Sequence, residues 1–222
     1  MTVDVLPSGD FWSRLPPDAA ADLERRSVRR RFRAGQMLLY RGDPPSGGVL
    51  VLLAGRVRVM ASGQGHVVTL GFRGPGELVG EQSALDGGPR SADVEAIEDV
   101  EAFSVPAERF VDFLESYPPA ALMLLRMLSA RLRDADAKRL EVLTLTTMQR
   151  VAKRLLEAAR EDGGVLRVRM AQEQLASYAL ASPKSVDRAL QTMRQLNCIE
   201  TGRRDITILD RDKLQGLYDM AC

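Results

Sequence analysis

Histidine is almost absent, with His66 the only one in 222 residues. A transition-metal centre needs several imidazoles and carboxylates around one ion, so none is expected, and a haem would have to rest on His66 alone, beside Gly65. For the same reason no Ser/His/Asp or Cys/His nucleophile set can be assembled, and the chain is not expected to be an enzyme. Cysteine is equally scarce. Cys198 and Cys222 lie 24 positions apart, which suggests neither a disulfide framework nor a CxxC metal site, and four-thiolate iron–sulfur ligation within one chain is excluded. No apolar run approaches the roughly 18–20 residues that span a bilayer. Met1 to Asp10 lacks a basic region followed by an apolar core, so the expected chain is cytoplasmic with no membrane partner. Strong charge of either sign is missing too, at a net +1, but the balance is uneven. From Thr144 onward there are 13 Lys+Arg against 10 Asp+Glu, or +3, which leaves 18 against 20, or −2, for the rest. A mildly basic C-terminal part is compatible with a nucleic-acid partner.

What is present is a turn-rich stretch, Gly76 to Ala92, read as GELVGEQSALDGGPRSA. Gly80 lets the backbone approach a ligand closely, and a short helix from Glu81 would aim free N–H groups at an anion. Arg90 can grip a phosphate bidentately, Ser91 can donate to it, and Glu81 can accept from a sugar hydroxyl. The alternative is a surface turn with an exposed arginine.

Around this stretch the chain reads in order. Phe11 to Arg25 is a short helical entry with Asp18 as cap and Leu23 inward; six arginines crowd into Arg25 to Arg33, where Val28, Arg30 and Phe32 alternate with Arg29, Arg31 and Arg33 as in an outer strand. Short β runs separated by glycines fill Gln36 to Pro106, which argues a β-sandwich or jelly roll. Glu108 to Glu115 is an amphipathic helix stopped by Tyr117-Pro118-Pro119. Ala120 to about Leu143 is a long helix whose seam at Leu125, Leu128, Leu132 and Ala135 suits a two-helix dimer contact. Thr144 to Thr147 breaks the pattern, Gln149 to Glu161 resumes as helix, and a strand-like VLRVRM follows.

The second informative stretch is Ala171 to Leu196, a helix, a short turn and a second helix capped by Ser182 with Pro183 in its first position. Leu175, Val186, Leu190 and Met193 can face inward, leaving Lys184, Ser185 and Arg188 on the outer N-terminal turns, where a recognition helix reads base edges. A strand, a turn at Gly202-Arg203-Arg204-Asp205 and a strand come next. The fold class is therefore α+β: a jelly roll at 1–117, a long helix at 118–143 and a winged helix-turn-helix at 144–222.

Gly80-Glu81-x-x-x-Leu85-x-x-x-Pro89-Arg90-Ser91-Ala92 resembles the phosphate-binding cassette of cyclic-nucleotide-binding domains, and the second stretch resembles the winged helix-turn-helix of the Crp/Fnr family of bacterial transcription regulators. The resemblance implies a homodimer that binds a palindromic operator in double-stranded DNA, is controlled by cyclic AMP or cyclic GMP, and has RNA polymerase as a further partner. It implies ligand contacts from Gly80, Glu81, Gln82, Arg90, Ser91, Ala135 and Asp136, and DNA contacts from Ser182, Lys184, Ser185, Arg188, Arg203 and Arg204. Two departures stand out. Where cyclic-AMP receptors carry a Thr and a Ser or Asn that contact adenine, this chain has Ala135-Asp136, and Asp136 could accept from the N1–H and amino group of guanine. Where common members carry Arg-Glu, this chain has Pro183-Lys184; Lys184 cannot accept from cytosine N4 and suits guanine or phosphate. A regulator independent of cyclic nucleotides, a non-DNA cyclic-nucleotide module and a jelly-roll metalloenzyme are the rival readings, the last lacking the histidines.

Overall fold

Val49 to Ala54 is an unbroken apolar run, VLVLLA, because this strand is covered on both faces. Leu50 and Leu52 point into a core with Phe32, Val57, Val94 and Val100. Val49 and Val51 point the other way, into a cluster with Leu23, Phe103, Phe110, Phe113 and Leu124. The computed structural model describes residues 10–44, 48–63, 66–202 and 204–219, and the chain divides into two compact units, Met1–Asp134 and Ala135–Cys222.

The first unit opens with a 3-10 turn, Trp12–Arg14, and α1, Pro17–Arg25. Among the described residues eight strands follow: β1 Val28–Phe32, β2 Met37–Leu39, β3 Val49–Ala54, β4 Val57–Gly63, β5 His66–Arg73, β6 Leu78–Val79, β7 Asp93–Ala96 and β8 Val100–Val105. They form two antiparallel four-stranded sheets, β1-β8-β3-β6 and β2-β7-β4-β5. One core lies between the sheets, and the second lies between the first sheet and the helices, including α3, Ala107–Ser116. A short helix, α2, Glu81–Asp86, interrupts the strands between β6 and β7. This is the expected jelly roll.

Two local readings are corrected. Helix α1 starts at Pro17 with Asp18 inside its first turn, because proline at the first helical position forfeits no hydrogen bond. The same reason lets the long helix α4 begin at Pro118 and run to Thr144, although Tyr117 before it is driven out of the helical region as expected. Strand β1 is an outer strand as expected, at the edge of its sheet with only Phe32 buried. There Arg29 and Arg31 pair with Glu101 on β8, and Arg30 lies over the Phe32 ring.

Helix α4 carries the chain into the second unit. There α5, Thr147–Ala158, starts at a capping box in which Thr146 accepts from the Gln149 amide and Gln149 accepts from the Thr146 amide. The helix is shorter than its periodicity suggests, because Gly163 and Gly164, both at positive φ, turn Arg160–Asp162 (β9) back against Val165–Val168 (β10). Helices α6, Gln172–Tyr178, and α7, Pro183–Gln195, are followed by strands β11, Ile199–Gly202, and β12, Asp205–Ile208, and by α8, Arg211–Asp219. The sheet order is β11-β12-β10-β9, so the wing is a hairpin on a four-stranded sheet.

Candidate functional site

In the first unit the turn after β6 needs glycine. Gly80 sits at φ +81, where a Cβ would meet Arg90 Nη1 at 2.7 Å and Gly48 O at 3.1 Å. That close approach brings one side chain across the turn. Arg90 is 4% exposed; its Nη1 donates to Gly80 O (2.7 Å) and Ser83 Oγ (2.6 Å), and its Nη2 donates to Gly48 O (2.7 Å). Burial pulls its pKa down, opposed by Asp43 and Glu81. Ser91 Oγ donates to Gln82 Oε1 at 2.8 Å.

Gly80, Glu81, Gln82, Arg90 and Ser91 all line one cavity of about 260 Å³, so the sequence had gathered a site that the fold brings together. Its other walls come from Leu39, Val59, Leu70, Val79, Ala92 and Val94, and from two arginines that sequence reasoning missed. Arg131 of α4 donates to Glu81 Oε1 (2.6 Å) and to Leu78 O (2.9 Å). Arg73, at the end of β5, lies between Phe72 O, which accepts from Nη1 at 2.7 Å, and Glu77 Oε1, 3.5 Å from Nε. Burial and the nearby Arg131 lower the Arg73 pKa, while burial raises that of Glu77. Neither arginine has a local signal, since the partners lie 50 residues apart for Arg131–Glu81 and Arg73 reads as the polar end of a strand. Ala135 and Asp136 belong to the second unit, stand exposed on α4 and do not line the cavity; Asp136 pairs with Arg139 at 3.1 Å. The residues present suit a sugar phosphate: a buried guanidinium and hydroxyl for the anion, a carboxylate for a hydroxyl, and an apolar wall for a ring.

In the second unit Val186 and Leu190 are fully buried, which turns Lys184 and Arg188 outward on α7. Ser182 accepts from the Ser185 amide at 3.2 Å as the N-cap, and Ser185 is half-buried. Arg204 is exposed at positive φ in the wing turn, and Arg203 lies outside the described residues. Arg194 donates to Thr201 Oγ1 at 2.9 Å and so ties α7 to the wing.

Two buried arginines of α5, both unforeseen, set the turn between α6 and α7. Arg150 donates to Ala179 O (2.9 Å), Leu180 O (3.3 Å) and Leu145 O (2.7 Å). Arg154 donates to Tyr178 O at 3.3 Å and pairs with Glu141 and Glu157. Carbonyls at the ends of helices have no intrahelical donor, and cations there also complement the helix dipole.

Residues 29–117 match the model of the cyclic nucleotide-binding domain, and residues 149–217 match that of the Crp-like helix-turn-helix domain. A curated Thermus thermophilus protein described as "Cyclic AMP receptor protein" is 33% identical over 85% of this chain and 87% of its own length. The chain belongs to the Crp/Fnr family of transcription regulators. Among its Crp/Fnr relatives, a Mycobacterium tuberculosis protein described as "CRP-like cAMP-activated global transcriptional regulator" is 27% identical over 95% of this chain and 97% of its own. A solved Crp/Fnr-family regulator from Thermus thermophilus superposes with a TM-score of 0.73 at 25% identity, covering 88% of this chain and all of the other. As a Crp/Fnr regulator this chain pairs a cyclic-nucleotide-binding domain with a DNA-binding one. Among its described residues no helix is long and apolar enough to cross a membrane.

Proposed function

We propose that this regulator is a homodimer whose affinity for a palindromic operator is set by a cyclic nucleotide, cyclic AMP or cyclic GMP, bound in the jelly roll. The observation that carries the reading is the convergence of Gly80, Glu81, Gln82, Arg90 and Ser91 on one cavity, in a chain whose other unit presents Lys184 and Arg188 on a capped helix. Arg90 and Ser91 take the cyclic phosphate and Glu81 the ribose hydroxyl; Ala135 and Asp136 enter on the resemblance alone. Residues 1–117 serve as the ligand domain, 118–143 as the dimer helix and 144–222 as the DNA-binding domain. Lys184, Ser185 and Arg188 read the major groove, Ser182 fixes their helix, and Arg203 and Arg204 meet the backbone. Two recognition helices must then sit about 34 Å apart, and a ligand acts by preferring that arrangement. RNA polymerase remains a partner by family likeness.

Dimerisation is supported by α4, which exposes Leu122, Leu125, Leu132, Leu140 and Leu143. Burying one leucine is worth about 1.5–3 kcal/mol, and two-fold symmetry counts it twice. The double substitution Leu125→Asp and Leu132→Asp is thus expected to raise the dimer dissociation constant by roughly four decades, read by analytical ultracentrifugation. An unchanged dimer would place the contact elsewhere.

Operator selection from random duplexes, with and without each cyclic nucleotide, tests the whole reading. A half-site that differs from the common family one at the base facing Lys184 is expected. Arg188→Ala should lower specific affinity about ten- to a hundredfold and relax one base position, leaving non-specific binding with its steep salt dependence. One observation favours a second reading, in which DNA binding needs no cyclic nucleotide. The cradle is already closed on itself, Arg90 on Gly48, Gly80 and Ser83, Glu81 on Arg131, and Ser91 on Gln82. Selection that proceeds equally without nucleotide would establish that alternative.

A further inference from the structure

The cavity has two walls of different chemistry. One, from Val79 to Ala92, carries the cradle, whose side-chain acceptors are engaged: Glu81 by Arg131, Ser83 by Arg90, and Gln82 by Ser91. The other comes from the second sheet, with Leu39 of β2, Val59 of β4, Leu70 of β5 and Val94 of β7, and its one charged group is Arg73 at the end of β5. Arg73 makes one hydrogen bond, to Phe72 O, and among the described residues its buried Nε makes none, with Glu77 held off at 3.5 Å. An apolar wall edged by a guanidinium whose Nη2, among the described residues, has no hydrogen-bond partner is a place for a ring that offers acceptors.

The cavity wall carries three cations, Arg73, Arg90 and Arg131, and one carboxylate, Glu81, while Asp43 acts on Arg90 and Glu77 and Asp134 act on Arg73 from outside the wall. Arg90 and Ser91 of the cradle take the phosphate, which leaves Arg73, on the opposite wall, for the base. Resting on the cyclic-nucleotide reading of this cavity, we propose that Arg73 reads the base and that it selects guanine over adenine. Guanine presents O6 and N7 as adjacent acceptors that one guanidinium takes bidentately; adenine offers N7 beside an amino donor, which sets N–H against N–H. Arg73 is a specificity residue on this view, and it lies wholly within the first unit.

Calorimetry of the full chain with cyclic GMP, cyclic AMP and 7-deaza cyclic GMP tests it. Cyclic GMP is expected to bind about ten- to a hundredfold more tightly than cyclic AMP, and loss of N7 to cost about tenfold. Arg73→Leu should bring cyclic GMP and cyclic AMP together, and Arg73→Lys, a point charge without the fork, should restore only part of the preference. Cyclic AMP binding as tightly as cyclic GMP overturns the assignment while leaving the cyclic-nucleotide reading intact, as does a preference for cyclic GMP that survives in a folded Arg73→Leu. Should that variant not fold, the unsubstituted chain decides, and equal binding of the 7-deaza analogue refutes the bidentate contact. Failure of all three nucleotides to bind overturns the reading itself, and this inference with it.

Discussion

Arg154→Ala is expected to lower the free energy of unfolding by about 3–5 kcal/mol, the usual cost of removing one partner from a buried ion pair. The side chain is 1% exposed and bonds Glu141 on α4, both oxygens of Glu157 on its own helix, and Tyr178 O at the end of α6. Its guanidinium also lies 5.1 Å from the Tyr178 ring. Burial opposes the charge, but Glu157 and Glu141 outweigh it and hold Arg154 more firmly protonated than usual. Alanine leaves Glu141 to Lys153 and Glu157 to the Tyr178 hydroxyl, and leaves a cavity between three helices. Urea unfolding at neutral pH measures the loss, and a change under about 1 kcal/mol would show that the neighbours close the gap. Lys153 adds a pH signature: burial lowers its pKa, but the bond and charge of Glu141 raise it above the ordinary value. Its folded pKa being raised, its contribution is whole below the unfolded pKa, near 10.4, and fades as pH rises through the folded one. Because Arg150 and Arg154 hold the carbonyls of Tyr178, Ala179 and Leu180, a folded Arg154→Met should bind operator more weakly through a loosened α6–α7 turn, with its non-specific binding unchanged.

That cluster marks where the sequence stopped being readable. Strand β3 could be recognised because two covered faces write a continuous apolar run, and Ser182-Pro183 because a cap and a first-turn proline are local. Gly80, Glu81, Arg90 and Ser91 could be gathered because they fall within 12 residues, so that a single turn delivers them to one cavity. Arg73, Arg131, Arg150 and Arg154 could not. Each stands in a strand or helix, where arginine reads as a solvated face; Arg131, Arg150 and Arg154 are recruited by a carboxylate or carbonyl outside their own helix, and Arg73 is turned inward among buried neighbours. Ala135 and Asp136 show a second limit: resemblance can name positions, but exposed residues on α4 in the second unit make no case by their surroundings.

Arg90→Leu is expected to have the largest effect on the cradle, and for two separable reasons. On the proposed reading the guanidinium is the buried cation for the cyclic phosphate, and charge-assisted hydrogen bonds are worth about 1.5–3 kcal/mol each, so losing two would cost affinity at least about a hundredfold. It is also a strut of the free protein. Without it Gly48 O and Ser83 Oγ lose the guanidinium donor and Gly80 O keeps only Ser83 Oγ at 3.3 Å, in a region where Gly80 already accommodates the side chain at close quarters. Each buried acceptor left unsatisfied costs about 1–3 kcal/mol, and water entering the cavity recovers part of this. Loss of binding in this variant alone would therefore not identify a phosphate contact. Ser91→Ala separates the two causes, because Ser91 donates to Gln82 at the exposed rim and carries no such load. It is expected to weaken cyclic-nucleotide binding about three- to tenfold, with the melting temperature unchanged. If Arg90→Leu melts lower and fails to bind, but Ser91→Ala binds as the parent does, then Arg90 is only a strut and the cavity does not hold its ligand by the phosphate.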